Sequence, residues 1–197
     1  MATAILASVR VPRFVRICSI NRVPILAHWS ALLLAAFFVV VNLDQLHYAV
    51  AGITAYALVL VVHELGHQFA ASRLGYRVVS IEIYPIHGAC RFDHPETRLE
   101  SAKIAWGGVI GQLLIAAPAI IRLVVWGYSS IGPMNTLLAI LGPSNVAIAI
   151  FNLIPVRPLD GAKAWSLFPL LWAARRRKRE KSALEFLQDI AQQQKRR

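Results

Sequence analysis

Four long apolar segments dominate the chain, and each is long enough to cross a membrane as a helix. A bilayer core of about 30 Å needs roughly 20 helical residues. The segments that reach this length are 24–43, 48–72, 104–126 and 133–154. Shorter and more polar connections separate them. The pattern therefore predicts an α-helical polytopic membrane protein with about four transmembrane helices.

The loop after the second segment contains a period-two pattern, in which apolar residues alternate with polar ones. The alternating apolar residues are Val79, Ile81 and Ile83. Pro85 and Gly88 follow them and mark a turn. We therefore expect a small β-hairpin or sheet over residues 77–92.

Two further elements are predicted near the C-terminus. The apolar stretch 161–174 is too short to span and lies beside tryptophans and arginines, which is typical of an amphipathic helix at the membrane interface. Residues 175–197 form a basic tail, in which Ser182 and Glu185 have the spacing of a capping box and predict the start of a last helix. No repeat or linker divides the chain, so we expect one core domain over 1–174.

The charged residues are few and unevenly distributed. Of 197 residues, 57% are hydrophobic and 16% charged, and 21 Lys and Arg against 10 Asp and Glu give a formal net charge of +11. So apolar a composition excludes a disordered or fibrous protein. A basic chain also fits nucleic-acid binding, but the basic residues fall in alternate connections between the spans. The positive-inside rule then places both termini, the hairpin and the tail in the cytoplasm, and it accounts for the charge without nucleic acid.

The N-terminal segment allows a second interpretation. Residues 1–22 contain arginines and no acid, so they orient the first span or, alternatively, form an organelle transit peptide. We expect a multi-pass protein of a bacterial inner membrane, with an organelle membrane as the alternative. Cys18 and Cys90 both fall on the cytoplasmic side, so we expect no disulfide.

The second span contains the sequence His-Glu-Leu-Gly-His, from His63 to His67. Residues four apart share one face of a helix, so both imidazoles can reach one metal ion. Glu64 lies beside the first histidine, where its carboxylate can contact a water molecule on the metal. Alternatively, the three polar side chains are satisfied by neighbouring helices. Ionisable groups inside a span are costly and usually functional, so we interpret the motif as a metal site.

A catalytic zinc site usually has three protein ligands, so this motif needs one more. The fourth span ends at Pro155 and Pro158 on the same side of the membrane as His67. Asp160 follows in an unwound stretch, and Gly161 permits the turn that would bring it back towards the metal. Asp160 is therefore the candidate third ligand, in the cytoplasmic third of the membrane.

Together these motifs resemble the site-2 protease family of intramembrane zinc metalloproteases. The resemblance rests on the His-Glu-Leu-Gly-His sequence and on Asn-Leu-Ile-Pro-Val-Arg-Pro-Leu-Asp-Gly over 152–161. Residues 23–30 are also similar to the family's entry into its first core helix, and 77–92 to its membrane-associated hairpin. The likeness covers residues 14–172.

The resemblance implies a role for each motif residue. His63, His67 and Asp160 would bind one Zn²⁺ per chain, Glu64 would be the catalytic acid and base, and Asn152 would lie near the substrate and the oxyanion. The implied activity is hydrolysis of peptide bonds in membrane-tethered proteins near the cytoplasmic face, in regulated intramembrane proteolysis. The implied partners are a membrane-spanning protein substrate and the lipid bilayer, with a regulatory membrane protein or a second copy left open.

Two other classes of protein fit part of the pattern. A metal-binding or transport protein could use the same His/His/Asp site, but Glu64 would then lack a function and the spans show no inverted repeat. A prenyl-processing metalloprotease would need a glutamate ligand in a later helix, and no acid occurs in any span after Glu64. 

The sequence also predicts contacts or exposure for several other residues. Gln112 and Asn145 are predicted to form interhelical hydrogen bonds, and Arg122 needs a partner or must extend to the interface. Gly107 and Gly111 have the spacing of a close helix contact or, alternatively, leave space for a substrate. His87 departs from the small residue that we expect at the hairpin tip, and it is predicted to be exposed.

Overall fold

A computed structural model of the chain describes residues 13–195, with side chains described for 13–185 and for Gln192. Four strands are present: β1 Phe14–Ile20, β2 Val23–His28, β3 Val78–Ile83 and β4 Gly88–Phe92. The helices are α1 Trp29–Val41, α2 Leu46–Arg73, α3 Arg98–Trp126, α4 Gly132–Ala139, α5 Asn145–Asn152, α6 Gly161–Ala164 and α7 Leu167–Lys195. A 3-10 turn, Leu43–Gln45, precedes α2, and a π-helical turn, Ile140–Ser144, joins α4 to α5.

Three helical segments of the described chain are long and apolar enough to cross a membrane. They are Leu43–Arg73, Arg98–Trp126 and Gly132–Asn152, of 31, 29 and 21 residues. These segments match the second, third and fourth predicted spans. The chain is thus a multi-pass membrane protein by helix length and composition.

The first predicted span differs from the structure. Residues 24–28 belong to β2, and α1 that follows is apolar but only 13 residues long. Strand β2 alternates between buried and partly exposed positions, with Val23, Ile25 and Ala27 buried. Because every residue from 23 to 27 is apolar, this period of two is invisible in a hydrophobicity pattern. The structure therefore does not establish a count of four spans.

The strands form one sheet in the order β1-β2-β3-β4. Strands β1 and β2 pair antiparallel, as do β3 and β4, whereas β2 and β3 pair in parallel, with Ile25 opposite Ile81. The predicted hairpin is present as β3 and β4, and it is half of this larger sheet. Its turn is held to α2 because the Tyr56 hydroxyl donates a hydrogen bond to the Pro85 carbonyl at 3.1 Å.

A small apolar core joins the sheet to α2. Its buried residues are Val23, Ile25, Leu60, Ile81 and Ile83. Leu60 belongs to α2 and lies one turn before His63. The sheet is therefore packed on the same part of α2 that carries His63 and His67.

Helices α2 and α3 approach each other at backbone distance. A Cβ atom placed on Gly66 would overlap the Gly107 carbonyl, and one placed on Gly107 would overlap the Gly66 carbonyl. A Cβ on Gly111 would lie 2.8 Å from the Val62 carbonyl oxygen. The glycines of α3 thus create the close helix contact that their spacing predicts.

Arg122 finds its partners at the end of its own helix. Its guanidinium donates to the Gly127 carbonyl at 3.0 Å and lies 5.6 Å from the centre of the Trp126 ring. Both partners belong to the C-terminal end of α3 or the residue that caps it. The side chain therefore extends towards the helix end, where a cation also interacts favourably with the helix dipole.

The C-terminal prediction is wrong in one respect. Helix α7 runs without a break from Leu167 to Lys195, so Ser182 and Glu185 lie inside it and no new helix begins there. Residues 175–185 are almost all strong helix formers, which continue the helix in preference to capping a new one. Pro169 lies in the first turn of α7, where its missing N–H needs no partner. The predicted interfacial segment 161–174 comprises α6 and the beginning of α7.

At the N-terminus, residues 1–12 lie outside the described residues, and with them Arg10 and most of the segment that resembles a transit peptide. Cys18 is exposed and Cys90 partly buried, and both are free thiols, as expected.

Candidate metal centre

The two histidines of α2 face each other one turn apart. His63 and His67 are both buried, and their Nε2 atoms lie 3.0 Å from each other. Their rings meet nearly at right angles, with an interplanar angle of 87°. This arrangement follows from the i, i+4 spacing, which places both side chains on one helix face.

Asp160 completes a group of three ligand atoms. Its Oδ2 lies 3.0 Å from Nε2 of His63 and 3.1 Å from Nε2 of His67. The three residues could hold a metal ion, since their ligand atoms lie within 4.8 Å of one another. Nitrogen and oxygen ligands about 2.0–2.1 Å from a tetrahedral zinc ion would be about 3.3 Å apart, so the observed triangle fits such an ion.

The chain after α5 folds back tightly to bring the third ligand into place. A Cβ atom on Gly161 would overlap the Leu153 carbonyl, so only glycine fits at this reversal. Two tryptophans hold the reversed segment: Trp165 donates to the Leu153 carbonyl at 2.6 Å, and Trp106 of α3 donates to the Ala164 carbonyl at 2.9 Å. The candidate third ligand is therefore held by its own turn and by α3.

The protonation state of Asp160 suits a metal ligand. Its burial raises the pKa of the carboxyl, but the neighbouring His63 and His67 outweigh the burial and lower the pKa below its usual value. The group is therefore a carboxylate at neutral pH.

Glu64 lies beside these ligands and beneath strand β4. Its side chain is buried, and the Cys90 backbone N–H donates a hydrogen bond to its carboxylate. A Cβ atom on Gly88 would overlap the same carboxylate. Burial and then the Glu64 charge raise the pKa of the Cys90 thiol to about 12, so Cys90 is a neutral thiol and a poor metal ligand.

The other singled-out residues lie at different places. Asn152 is the last residue of α5, is partly buried and precedes Asp160 by eight positions. His87 is exposed in the hairpin turn and stacks on Tyr84, with ring centres 4.8 Å apart. His28 stacks against the same tyrosine at 5.4 Å.

Two contacts that the sequence did not predict lie behind the histidines. Nδ1 of His67 is 2.8 Å from the Ile104 carbonyl oxygen, and Nδ1 of His63 is 3.0 Å from Oε1 of Gln112. Gln112 is expected to bond to another helix, but its partner can be identified only once the antiparallel register of α2 and α3 is known.

Comparison with known proteins finds two zinc metalloproteases of related sequence and a solved structure of similar fold. No protein-family model matches the chain. A Synechocystis protein with the provisional name of zinc metalloprotease is 31% identical over 120 residues, which are 57% of this chain and 29% of that protein. A zinc metalloprotease of Methanocaldococcus jannaschii is 28% identical over 155 residues, 76% of this chain and 43% of that protein. The solved structure of the site-2 protease from Methanocaldococcus jannaschii superposes with a TM-score of 0.58 at 23% identity, covering 77% of this chain and 69% of that one.

The chain is similar in fold to a site-2 protease and in sequence to two zinc metalloproteases. It spans less than half the length of either curated relative, since the aligned parts are 29% and 43% of those proteins.

Proposed function

We propose that this chain is an intramembrane zinc endopeptidase that cleaves membrane-tethered proteins near the cytoplasmic face. The observation that carries the proposal is the triangle of His63, His67 and Asp160 ligand atoms, 3.0–3.1 Å apart, with a buried glutamate beside it. Two histidines and a carboxylate are a donor set typical of catalytic zinc. Zinc bound there would lower the pKa of a coordinated water to about 7 and so provide a nucleophile at neutral pH.

Glu64 is the catalytic acid and base in this proposal. It follows His63 directly and is not one of the three residues that could hold the metal, and its carboxylate lies against Gly88 of β4. Such a group accepts the proton of the attacking water and later donates it to the leaving amine, which typically contributes 10²- to 10⁴-fold to the rate.

Asn152 is proposed to contact the substrate. The motif asparagine lies at the end of α5, just before the segment that reverses to Asp160. A side-chain amide there could donate a hydrogen bond to the oxyanion that develops on the scissile carbonyl. Support for this role comes from the family motif.

The substrate is proposed to bind as an extended strand along β4. A peptide bond within a transmembrane helix is shielded by its own hydrogen bonds, so the substrate must unwind locally before it can be cut. Strand β4 is an edge of the sheet and lies directly over Glu64. An unwound segment paired with this edge would run past the glutamate and the three ligands.

Orientation and location are part of the same proposal. The basic loop and tail favour cytoplasmic termini, with the basic residues of 175–181 on the exposed surface of α7. We propose a metalloprotease core over 1–174 with the basic tail 175–197, in a bacterial inner membrane or an organelle membrane. We also propose that the proteolysis is regulated, and that the partner is either a regulatory membrane protein or a second copy of the chain.

The competing function is metal binding or transport without proteolysis. That function uses the same three ligands, but it gives no role to a glutamate buried beneath an edge strand. The Asp160 carboxylate also supplies the third ligand that a prenyl-processing enzyme would take from a glutamate in a later helix. A protease of the site-2 type therefore accounts for more of the site.

The test is reconstitution of the purified chain in liposomes with a single-span substrate and measurement of cleavage and metal content. Glu64→Gln should retain zinc and lose at least a hundredfold in cleavage rate. Glu96→Gln, which changes an exposed acid in the loop before α3, is the matched control and should cleave normally. Cleavage by Glu64→Gln at the wild-type rate would overturn the proposal. Equal metal transport by both variants without any cleavage would also overturn it.

A further inference from the structure

The two histidines of the candidate metal centre are oriented from behind by a single helix. Both Nε2 atoms face Asp160, whereas both Nδ1 atoms face oxygen acceptors on α3. His67 uses the backbone carbonyl of Ile104, which no substitution removes. His63 instead uses a side chain, the Oε1 atom of Gln112.

The contact between His63 and Gln112 matters because the position of the imidazole proton decides which ring nitrogen can bind a metal. A neutral histidine carries one ring proton, and it binds a metal only through the nitrogen that lacks the proton. An acceptor at Nδ1 holds the proton there and leaves the Nε2 lone pair free. Amide oxygens cannot donate, so Oε1 of Gln112 favours the tautomer of His63 that is able to ligate.

Close packing brings Gln112 within reach. A Cβ atom on Gly108 would lie 2.6 Å from Nε2 of His67 and 2.7 Å from Cε1 of His63, so the imidazoles pack directly against the α3 backbone. With a larger residue there, α3 would be forced away and the glutamine with it.

The backbone of Gln112 also contacts α5, through a bond that does not involve the Gln112 side chain. Asn145 donates one amide hydrogen to the Gln112 backbone carbonyl at 2.8 Å and the other to the Leu141 carbonyl at 3.2 Å. Gln112 is 1% and Asn145 0% exposed, so both residues are buried between the helices. This bond ties the helices together without touching the histidine.

We propose that Gln112 is a positioning residue that selects the metal-binding tautomer of His63. The inference rests on the proposed function only in requiring that zinc binds at His63, His67 and Asp160. Hydrogen-bond partners behind metal-ligating histidines typically change metal affinity by 10- to 100-fold when they are removed.

The experiment compares three variants of the full chain in detergent by competition for zinc with a chelator. Gln112→Met keeps the length of the side chain and removes the acceptor, so its zinc dissociation constant should rise by 10- to 100-fold. Gln112→Glu keeps an oxygen acceptor and should bind zinc within about threefold of wild type. Asn145→Leu removes the helix-packing bond and should leave the zinc dissociation constant within about threefold of wild type.

Melting temperatures of the zinc-free proteins separate positioning from folding. Asn145→Leu should lower the melting temperature without weakening zinc binding, and Gln112→Met should weaken zinc binding even where its zinc-free melting temperature matches that of Asn145→Leu. Equal zinc affinity in Gln112→Met and wild type, or equal weakening in Gln112→Met and Asn145→Leu, would overturn the inference. A wild-type chain that binds no zinc would instead overturn the proposed function.

Discussion

Gly88 of strand β4 lies against the carboxylate of Glu64 so closely that a Cβ atom at position 88 would overlap it. The backbone N–H of Cys90, two residues further along the same strand, donates to that carboxylate. One edge strand therefore both covers and orients the proposed acid and base. The strand and the glutamate would act together on any peptide that pairs with β4.

Gly88→Ala should reduce cleavage by at least tenfold and leave zinc affinity unchanged. The new methyl group would displace either the Glu64 carboxylate or the strand, and misplacement by about 1 Å can cost 10²-fold in rate. The control is Gly52→Ala, whose Cβ atom would lie 3.7 Å from its nearest neighbour, an ordinary contact. Normal cleavage by Gly88→Ala would contradict this account of the strand.

Gly66→Ala should lower the free energy of unfolding by about 1–3 kcal/mol, because a methyl group cannot fit between α2 and the Gly107 carbonyl. Reversible unfolding in mixed detergent would measure the change, with Gly52→Ala again as the reference. An unchanged free energy of unfolding would show that the two helices can move apart without loss of stability.

Asp160→Asn should weaken zinc binding by more than 100-fold, since it replaces the charged ligand by a neutral amide and affects the metal more directly than a hydrogen-bond partner would. Chelation should inactivate the wild-type protein, and added zinc should restore it. Asp93→Asn alters an exposed acid in the loop after β4 and should behave as wild type. Zinc retention at full affinity by Asp160→Asn would exclude it as a ligand.

The sheet should lose stability in acid through Glu82. Its burial raises the pKa of the carboxyl, but Arg91, with two hydrogen bonds of 3.1 Å, and Tyr84 outweigh the burial and lower the pKa below the usual 4.5. A lowered folded-state pKa gives stability that is present above 4.5 and lost as the pH falls through the folded value.

The measurement is the melting temperature of wild type and Glu82→Gln between pH 3 and 7. The difference should be constant from about pH 6 upwards and should shrink below about pH 4. A gap that persists unchanged into acid would mean that the ion pair contributes nothing through its charge.

Much of the metal centre follows from the sequence because its geometry is local. Residues 63 and 67 share a helix face whatever the surroundings, and the long apolar runs are visible without any tertiary information. The prediction of Asp160 required one further step. The alternation of charge along the chain indicates that the fourth segment ends on the same side of the membrane as His67. The number of predicted membrane crossings between His67 and Asp160 was enough to place both residues on one side of the membrane.

The remaining features depend on contacts between distant segments. The pairing of Ile25 with Ile81 joins strands more than fifty residues apart, and no local pattern encodes it. Gln112 meets His63 only in the observed register of α2 and α3. At Ser182 the local cap signal was overridden by the helix propensity of its neighbours, which is the usual outcome when weak signals compete.

The parallel pairing of β2 with β3 limits the number of membrane crossings that the chain can make between these strands. Both strands lie in one sheet, so a chain that leaves β2 and reaches β3 must make an even number of crossings. If α2 makes one of them, the other falls to α1, whose 13 residues rise only about 20 Å against a bilayer core of about 30 Å. The resulting hydrophobic mismatch would thin the bilayer beside α1.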